Sequence, residues 1–118
     1  MTRPYELNRR AVSQNETRQR IVDATIELHR TIGAAQTTFS EIAKRAGVGR
    51  VTVYRHFPDE ETLSFACSGY YFSQHPFPNI ERWREVADPL DRLRQGLRES
   101  YAWHRENEEM ISMALAEA

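Results

Sequence analysis

Five side chains crowded into one short stretch, Arg50, Thr52, Tyr54, Arg55 and His56, supply two guanidinium groups, a hydroxyl, a phenol and an imidazole. Such a set can pair with phosphate oxygens and reach the hydrogen-bonding edges of bases, because a guanidinium donates two parallel hydrogen bonds and small polar groups read neighbouring edges. Catalysis finds no comparable support. His29, His56, His75 and His104 are too scattered along the chain to share a metal by spacing, Cys67 is the single cysteine, and there is no phosphate-cradling glycine loop. The chemistry on offer is recognition, with no enzyme activity, metal or cofactor expected.

The elements that must position these groups are legible from the residues around them. A helical segment from Phe39 to Arg45 meets Ala46-Gly47-Val48-Gly49, and a second short helix follows from Arg50 to His56. Helices this close together must turn a tight corner, which is a helix-turn-helix. Thr38 followed by Glu41 fits a capping box at the start of the first helix. Ile42, Ala43 and Ala46 share one face, and the small Ala43 admits a close crossing. Gly47 stands where the chain reverses, a position that favours positive φ. Val48, Val53 and Phe57 form the apolar side of the second helix and leave the five polar side chains outward. The plainer alternative is an αα-corner with a solvated basic face.

The stretch TTFSEIAKRAGVGRVTVYRHFPDEETL resembles the DNA-binding signature of TetR-like (tetracycline-repressor family) transcription regulators. The matching positions are Thr38, Ile42, Ala43, Ala46, Gly47, Val48, Gly49, Thr52, Val53, Tyr54, His56, Phe57 and Leu63. The resemblance implies an all-α chain, in which a three-helix DNA-binding unit is joined through a linking helix to a partial helical ligand-binding and dimerisation domain. It makes Arg18, Thr38, Arg50, Val51, Thr52, Tyr54, Arg55 and His56 the candidate DNA-binding residues. Arg50 and Thr52 would lie near base edges in the major groove, with Thr38, Tyr54 and His56 on phosphates. Arg18 matches the arginine of the family's T-R-x-x-I segment, and either touches a phosphate or forms a surface salt bridge with a neighbouring Glu. One position departs from the pattern: Glu60 stands where the family usually has lysine, which removes a phosphate contact and sets a carboxylate near DNA.

With 118 residues, 40% of them hydrophobic, the chain has material for one domain, or one small domain and part of another. No apolar run is long enough to span a bilayer, and the stretch from Met1 to Arg20 lacks a signal peptide's apolar segment, so a cytoplasmic protein is expected. The net charge of −1 conceals a division. From Met1 to Pro58 ten Lys and Arg oppose five Asp and Glu, a net of +5, whereas from Asp59 to Ala118 six oppose twelve, a net of −6. The basic half coincides with the helix-turn-helix, as expected of a nucleic-acid-binding module joined to one with another task.

Taken in order, residues 1–14 read as a mobile basic arm. Its Arg3, Arg9 and Arg10 either reach a minor groove or belong to a solvated tail. Residues 15–58 form the DNA-binding domain. Its first helix is expected from Asn15 as N-cap to about Thr31, with Gly33 as C-cap and Ile21, Ala24, Leu28 and Ile32 as its core stripe. Residues 59–118 comprise the linking helix and a truncated helical regulatory domain. Asp59, Glu60 and Glu61 set negative charge at the start of the linking helix, which continues through Leu63, Phe65, Ala66 and Gly69 to about Ser73. In the family that helix transmits ligand binding to the DNA-binding unit. His75-Pro76-Phe77-Pro78-Asn79 breaks it. A short helical turn over Ile80 to Ala87 precedes a longer helix opened by Asp88 and Pro89 and striped by Leu90, Leu93, Leu97, Tyr101 and His104. Asn107-Glu108-Glu109 then interrupts, before Met110, Met113, Ala114 and Leu115. DPLDRLRQGLRESYAWHRENEEM resembles, less specifically, the second half of some TetR-like chains.

Aromatic and sulfur side chains concentrate in the second half. Phe65, Tyr70, Phe72, Trp83, Tyr101, Trp103 and Met110 are the candidate ligand-binding residues, with ordinary core as the alternative. The resemblance implies a pocket there for a small hydrophobic or aromatic effector. It also implies a ligand-released repressor acting as a homodimer on palindromic double-stranded DNA, with further C-terminal helices that this chain stops short of. A competing reading is an all-helical ligand-binding or protein-interaction module that has lost DNA binding, motivated by Glu60 and by those absent helices.

Overall fold

The structure is a computed structural model that describes residues 3–117, with side chains described from residue 8 onward. Among the described residues every regular element is helical. Helix α1 runs from Arg3 to Thr31. Between Tyr5 and Ile32 the sequence holds neither glycine nor proline, and Pro4 falls in the first turn, where a missing amide costs no helical hydrogen bond. This corrects the expectation of a mobile arm over 1–14 and a helix starting near Asn15; Met1 and Thr2 lie outside the described residues. Asn15 is a competent cap. The Arg, Ala, Glu and Gln residues before it favour helix, however, and extending an existing helix is easier than starting one.

A short 3-10 turn at Ala34–Gln36 connects α1 to α2, Phe39–Ala46, which is followed by α3, Arg50–His56. The Thr38 hydroxyl accepts from the Glu41 amide at 3.1 Å and starts α2. Gly47 takes φ +71° at its other end. There the Val48 amide donates to the Ala43 carbonyl at 3.0 Å and the Gly47 amide to Lys44 at 3.3 Å, the pair of reversed bonds that closes a helix with left-handed glycine. Ile21, Val22, Ala24 and Leu28 of α1 bury against Phe39, Ile42, Ala43 and Ala46 of α2, and Val53 and Phe57 complete the core. Phe57 is 0% exposed, and burying a side chain of that size contributes about 1.5–3 kcal/mol. Thr25 shares this interior because its hydroxyl donates to the Ile21 carbonyl at 2.7 Å. Ile32 does not join the stripe: it is 42% exposed, at the end of the chain's helical run, past the cover of α2.

Helix α4, Glu60–Gln74, is capped by Asp59, whose carboxylate accepts from the Thr62 amide at 2.7 Å. Leu63 and Cys67 set it against the core. After the proline break come α5, Ile80–Arg84, α6, Pro89–Glu106, and α7, Glu108–Ala116. Asp88 caps α6 from the Asp91 amide at 3.1 Å, with Pro89 in the first turn. Trp83 of α5 lies on Gly96, the buried residue of α6. Helix α7 turns back onto α1, where Arg30 pairs with Glu109. Leu90, Leu93, Leu97 and Tyr101 of α6 are all exposed, so that stripe faces away from the chain's own core. No described helix is long and apolar enough to cross a membrane.

The radius of gyration is 19.1 Å, against about 13–14 Å for a compact chain of this length. The excess comes from the long α1 and from the outlying pair α5 and α6.

Candidate nucleic-acid interface and its neighbouring cleft

Helix α3 is too short to be stable alone, so its outward face depends on what holds it. Val53 and Phe57 anchor its inner side, and the Tyr54 ring packs on Phe39 with centroids 4.6 Å apart. From α1, the Arg20 guanidinium donates to the carbonyl oxygens of Ala46 at 2.6 Å and Gly47 at 3.3 Å, which fixes the corner between α2 and α3. Arg50, Val51 and Arg55 are exposed, and Thr52 and His56 are half-buried at the margins of the same surface. The sequence therefore places these candidates on one short helix with a rigid backing.

Two further candidates stand apart from α3. Thr38 is exposed at the start of α2; its oxygen already accepts from Glu41, and a hydroxyl in that position keeps its proton to donate elsewhere. Arg18 pairs with no Glu among the described residues. Its guanidinium lies over the Phe57 ring, 4.9 Å from the centroid, a cation–π contact that leaves the N–H edge of the plane toward solvent. Arg20 and Phe39 escaped the sequence reading. Neither carries a local signal: Arg20 meets a carbonyl 26 residues away, and Phe39 reads as an ordinary helix start.

A cleft of about 430 Å3 opens between α1, α4, α6 and α7. Of the expected ligand-binding residues, Phe72, Trp103 and Met110 line it. Phe65, Tyr70, Trp83 and Tyr101 do not, which corrects that expectation for four of the residues. Phe65 is 84% exposed, on the side of α4 opposite Cys67, and Tyr101 is 63% exposed on α6. Tyr70 packs against the central core. Trp83 lies on Gly96, and its indole N–H donates to Glu99. In their place the wall is completed by Ile26, His29, Cys67, Tyr71, Ile111, Met113 and Glu117. These come from helices far apart in sequence, and no spacing rule joins them.

The cleft is electrically quiet. Burial holds the His29 imidazole below its ordinary value, with Glu117 pulling the other way. Burial also raises the Cys67 thiol to about 11, opposed weakly by the Thr25 hydrogen bond, and pushes the Tyr71 phenol up. All three are thus uncharged near neutral pH. The Glu117 carboxylate is occupied by the amides of Ala34 at 3.0 Å and Ala35 at 3.1 Å. At the cleft's floor the Tyr71 hydroxyl donates to Asn107, which is 3% exposed, and Asn107 donates to the Trp103 carbonyl at 2.9 Å. The Trp103 indole N–H in turn donates to the His75 carbonyl at 2.9 Å. The far end of α4 is thereby tied to the α6–α7 junction.

Comparison with known proteins agrees with this geometry. Residues 21–67 match the family described as bacterial regulatory proteins, tetR family. The chain is 30% identical over 105 residues to an uncharacterized HTH-type transcriptional regulator YerO of Bacillus subtilis (strain 168), covering 87% of this chain and 36% of that protein. It is 47% identical over 47 residues to the HTH-type transcriptional regulator SrpR of Pseudomonas putida, covering 40% of this chain and 22% of that protein. Against the HTH-type transcriptional regulator AcrR of Shigella flexneri it is 46% identical over 48 residues, 41% of this chain and 22% of that protein. The chain thus spans 36% and 22% of the length of the first two of these relatives. No solved structure matches it. Through the helix-turn-helix and its flanking helices, the chain belongs to the tetR family of bacterial regulatory proteins.

Proposed function

We propose that this chain is the DNA-reading and effector-sensing part of a transcription regulator, a repressor released when a small molecule enters the cleft. The observation that carries the reading is the exposed face of α3, with Arg50, Val51, Thr52 and Arg55 held on a helix whose other side is wholly buried. Arg50 and Thr52 read base edges in the major groove. Thr38, Tyr54 and His56 contact phosphates, as does the free edge of Arg18. Residues 15–58 are the reading unit, and the remainder couples it to the effector.

The effector fits the cleft by chemistry. An apolar wall with neutral His29 and Tyr71 suits a small hydrophobic or aromatic molecule with one or two hydrogen-bonding groups, and the volume is in the usual range for ligand sites. Its entry would disturb Tyr71 and Trp103, and with them the bonds that fix the end of α4. Helix α4 is capped by Asp59, two residues after Phe57, so a shift of α4 bears directly on the setting of α3. Two copies bound as a homodimer would read a palindrome with half-sites about one helical turn apart or slightly more.

Selection from a random pool of duplex DNA tests the reading. Recovery of one palindromic sequence supports it. A pool that emerges without enrichment would show that α3 does not read sequence.

A further inference from the structure

Helix α3 carries one outward side chain that the reading above leaves without a role. Its seven residues and the Phe57 cap divide by helical spacing. Val53 and Phe57, four apart, turn inward and are 0% exposed; Val51 and Arg55, also four apart, stand on nearly the opposite side. Val51 is 66% exposed, more than Tyr54 at 45%, while Thr52 is half-buried. An apolar, β-branched side chain is thus set at the crest of a surface whose other members are guanidinium, hydroxyl, phenol and imidazole groups.

Folding gives no account of it. Val51 lies outside the buried core and outside the residues packed against that core. Valine is also a weaker helix former than the alanine, lysine or glutamate that an exposed helical position readily takes. Exposed apolar residues are common on any surface, Val12 among them, but Val51 stands between Arg50, Thr52 and Arg55. What it can meet in a major groove is narrow. An isopropyl group neither donates nor accepts a hydrogen bond, so it holds no phosphate. The groove edges of adenine, guanine and cytosine offer donors and acceptors, and an apolar group pressed onto them removes water without replacing its hydrogen bonds. Thymine offers an apolar group there, its 5-methyl.

We propose that Val51 is a specificity-determining residue that reads the 5-methyl group of one thymine in each half-site, beside the polar edges met by Arg50 and Thr52. The inference rests on α3 being the DNA-reading helix. Selection acts in two directions: burial of the methyl favours thymine, and the unpaired 4-amino group left under the valine rejects cytosine. Because the group recognised is the methyl, 5-methylcytosine at that position is accepted better than cytosine.

The palindrome recovered from the random pool, with its thymines replaced by deoxyuridine one symmetry-related pair at a time, tests this on the whole chain and two variants. Deoxyuridine keeps every hydrogen-bonding group of thymine and lacks the methyl. Wild-type affinity is expected to fall at one position by about 4-fold per half-site, the effect of one buried methyl. Val51→Ala, which shortens the side chain and strengthens the helix, is expected to bind the thymine duplex more weakly and to be nearly indifferent to deoxyuridine there. Thr52→Ser removes the neighbouring methyl of the protein and, whatever its own affinity, is expected to keep the wild-type sensitivity. A cytosine placed at that position and methylated at C5 should regain about 4-fold per half-site for the wild type and nothing for Val51→Ala. A selected palindrome in which no thymine is sensitive to deoxyuridine would overturn the proposal and leave the role of α3 standing. Sensitivity undiminished in Val51→Ala, or lost in Thr52→Ser, would assign the methyl to another side chain and overturn it as well. A wild-type chain that retains no duplex would overturn both.

Discussion

Gly47 and Arg20 together decide the angle at which α3 is offered to a partner. Gly47 holds φ at +71°, and a Cβ added there would stand 3.2 Å from the Arg20 guanidinium. Gly47→Ala should therefore destabilise the chain by about 1–2 kcal/mol, mostly from left-handed strain, and the loss is measurable by urea unfolding. A neutral result would mean that the corner relaxes without strain. Arg50 makes a different prediction, because it is exposed and holds nothing in place. Arg50→Ala should leave stability unchanged, cost about 1–3 kcal/mol of DNA binding and relax preference at one base pair. An equal loss on every sequence would reduce Arg50 to a phosphate contact. Gly47 was legible in the sequence because positive φ selects glycine locally. Arg20 was not, since its partner carbonyls are fixed only once the chain has folded.

At the scale of elements, α4 and α7 are linked by a small number of directional bonds. Tyr71→Phe removes the donor to buried Asn107 and should cost about 1–2 kcal/mol. Its effect should be local: faster amide hydrogen exchange in α7, with α2 and α3 unchanged. Faster exchange throughout would show one cooperative unit instead. His29 adds a pH dependence to the same region. Its folded value is depressed below 6.5 by burial, so the unfolded chain takes up its proton first as pH falls. Stability from this group is complete above about pH 6.5 and is lost as pH falls below it toward the folded value. His29→Gln should flatten the dependence of melting temperature on pH between 7 and 5, and an unaltered profile would place the titration elsewhere. Caps at Thr38, Asp59 and Asp88 made the starts of α2, α4 and α6 legible in the sequence. The start of α1 was not, because a good cap inside a strong helical sequence does not stop the helix. Nor was the outward stripe of α6, since periodicity marks a face without saying what covers it.

At the scale of the whole molecule, a basic reading unit and an acidic remainder are joined by two long helices, α1 and α4, that belong to both. The split between +5 and −6 was countable from residues alone, and it agrees with a DNA-facing end and a cleft at the other end. The cleft itself was legible only as a concentration of aromatic residues. Its walls are assembled from four helices, and Phe65 and Tyr101 show that composition cannot tell a lining residue from an exposed one. Glu60 sits exposed in the first turn of α4, next to the cap at Asp59, and on the proposed reading its carboxylate should weaken DNA binding.

On the proposed reading, α3 reads duplex DNA by sequence while the surrounding arginines hold the phosphates. The decisive experiment compares affinity for the recovered palindrome and for a scrambled duplex of equal length, at about 50 and 200 mM salt. Both affinities should fall steeply with salt, by about 10³-fold or more if six or more phosphates are engaged. The palindrome should remain preferred by at least about 10³ at either concentration. Equal affinity for the two duplexes, or binding indifferent to salt, would mean that α3 does not read DNA sequence or that the arginines do not hold phosphates.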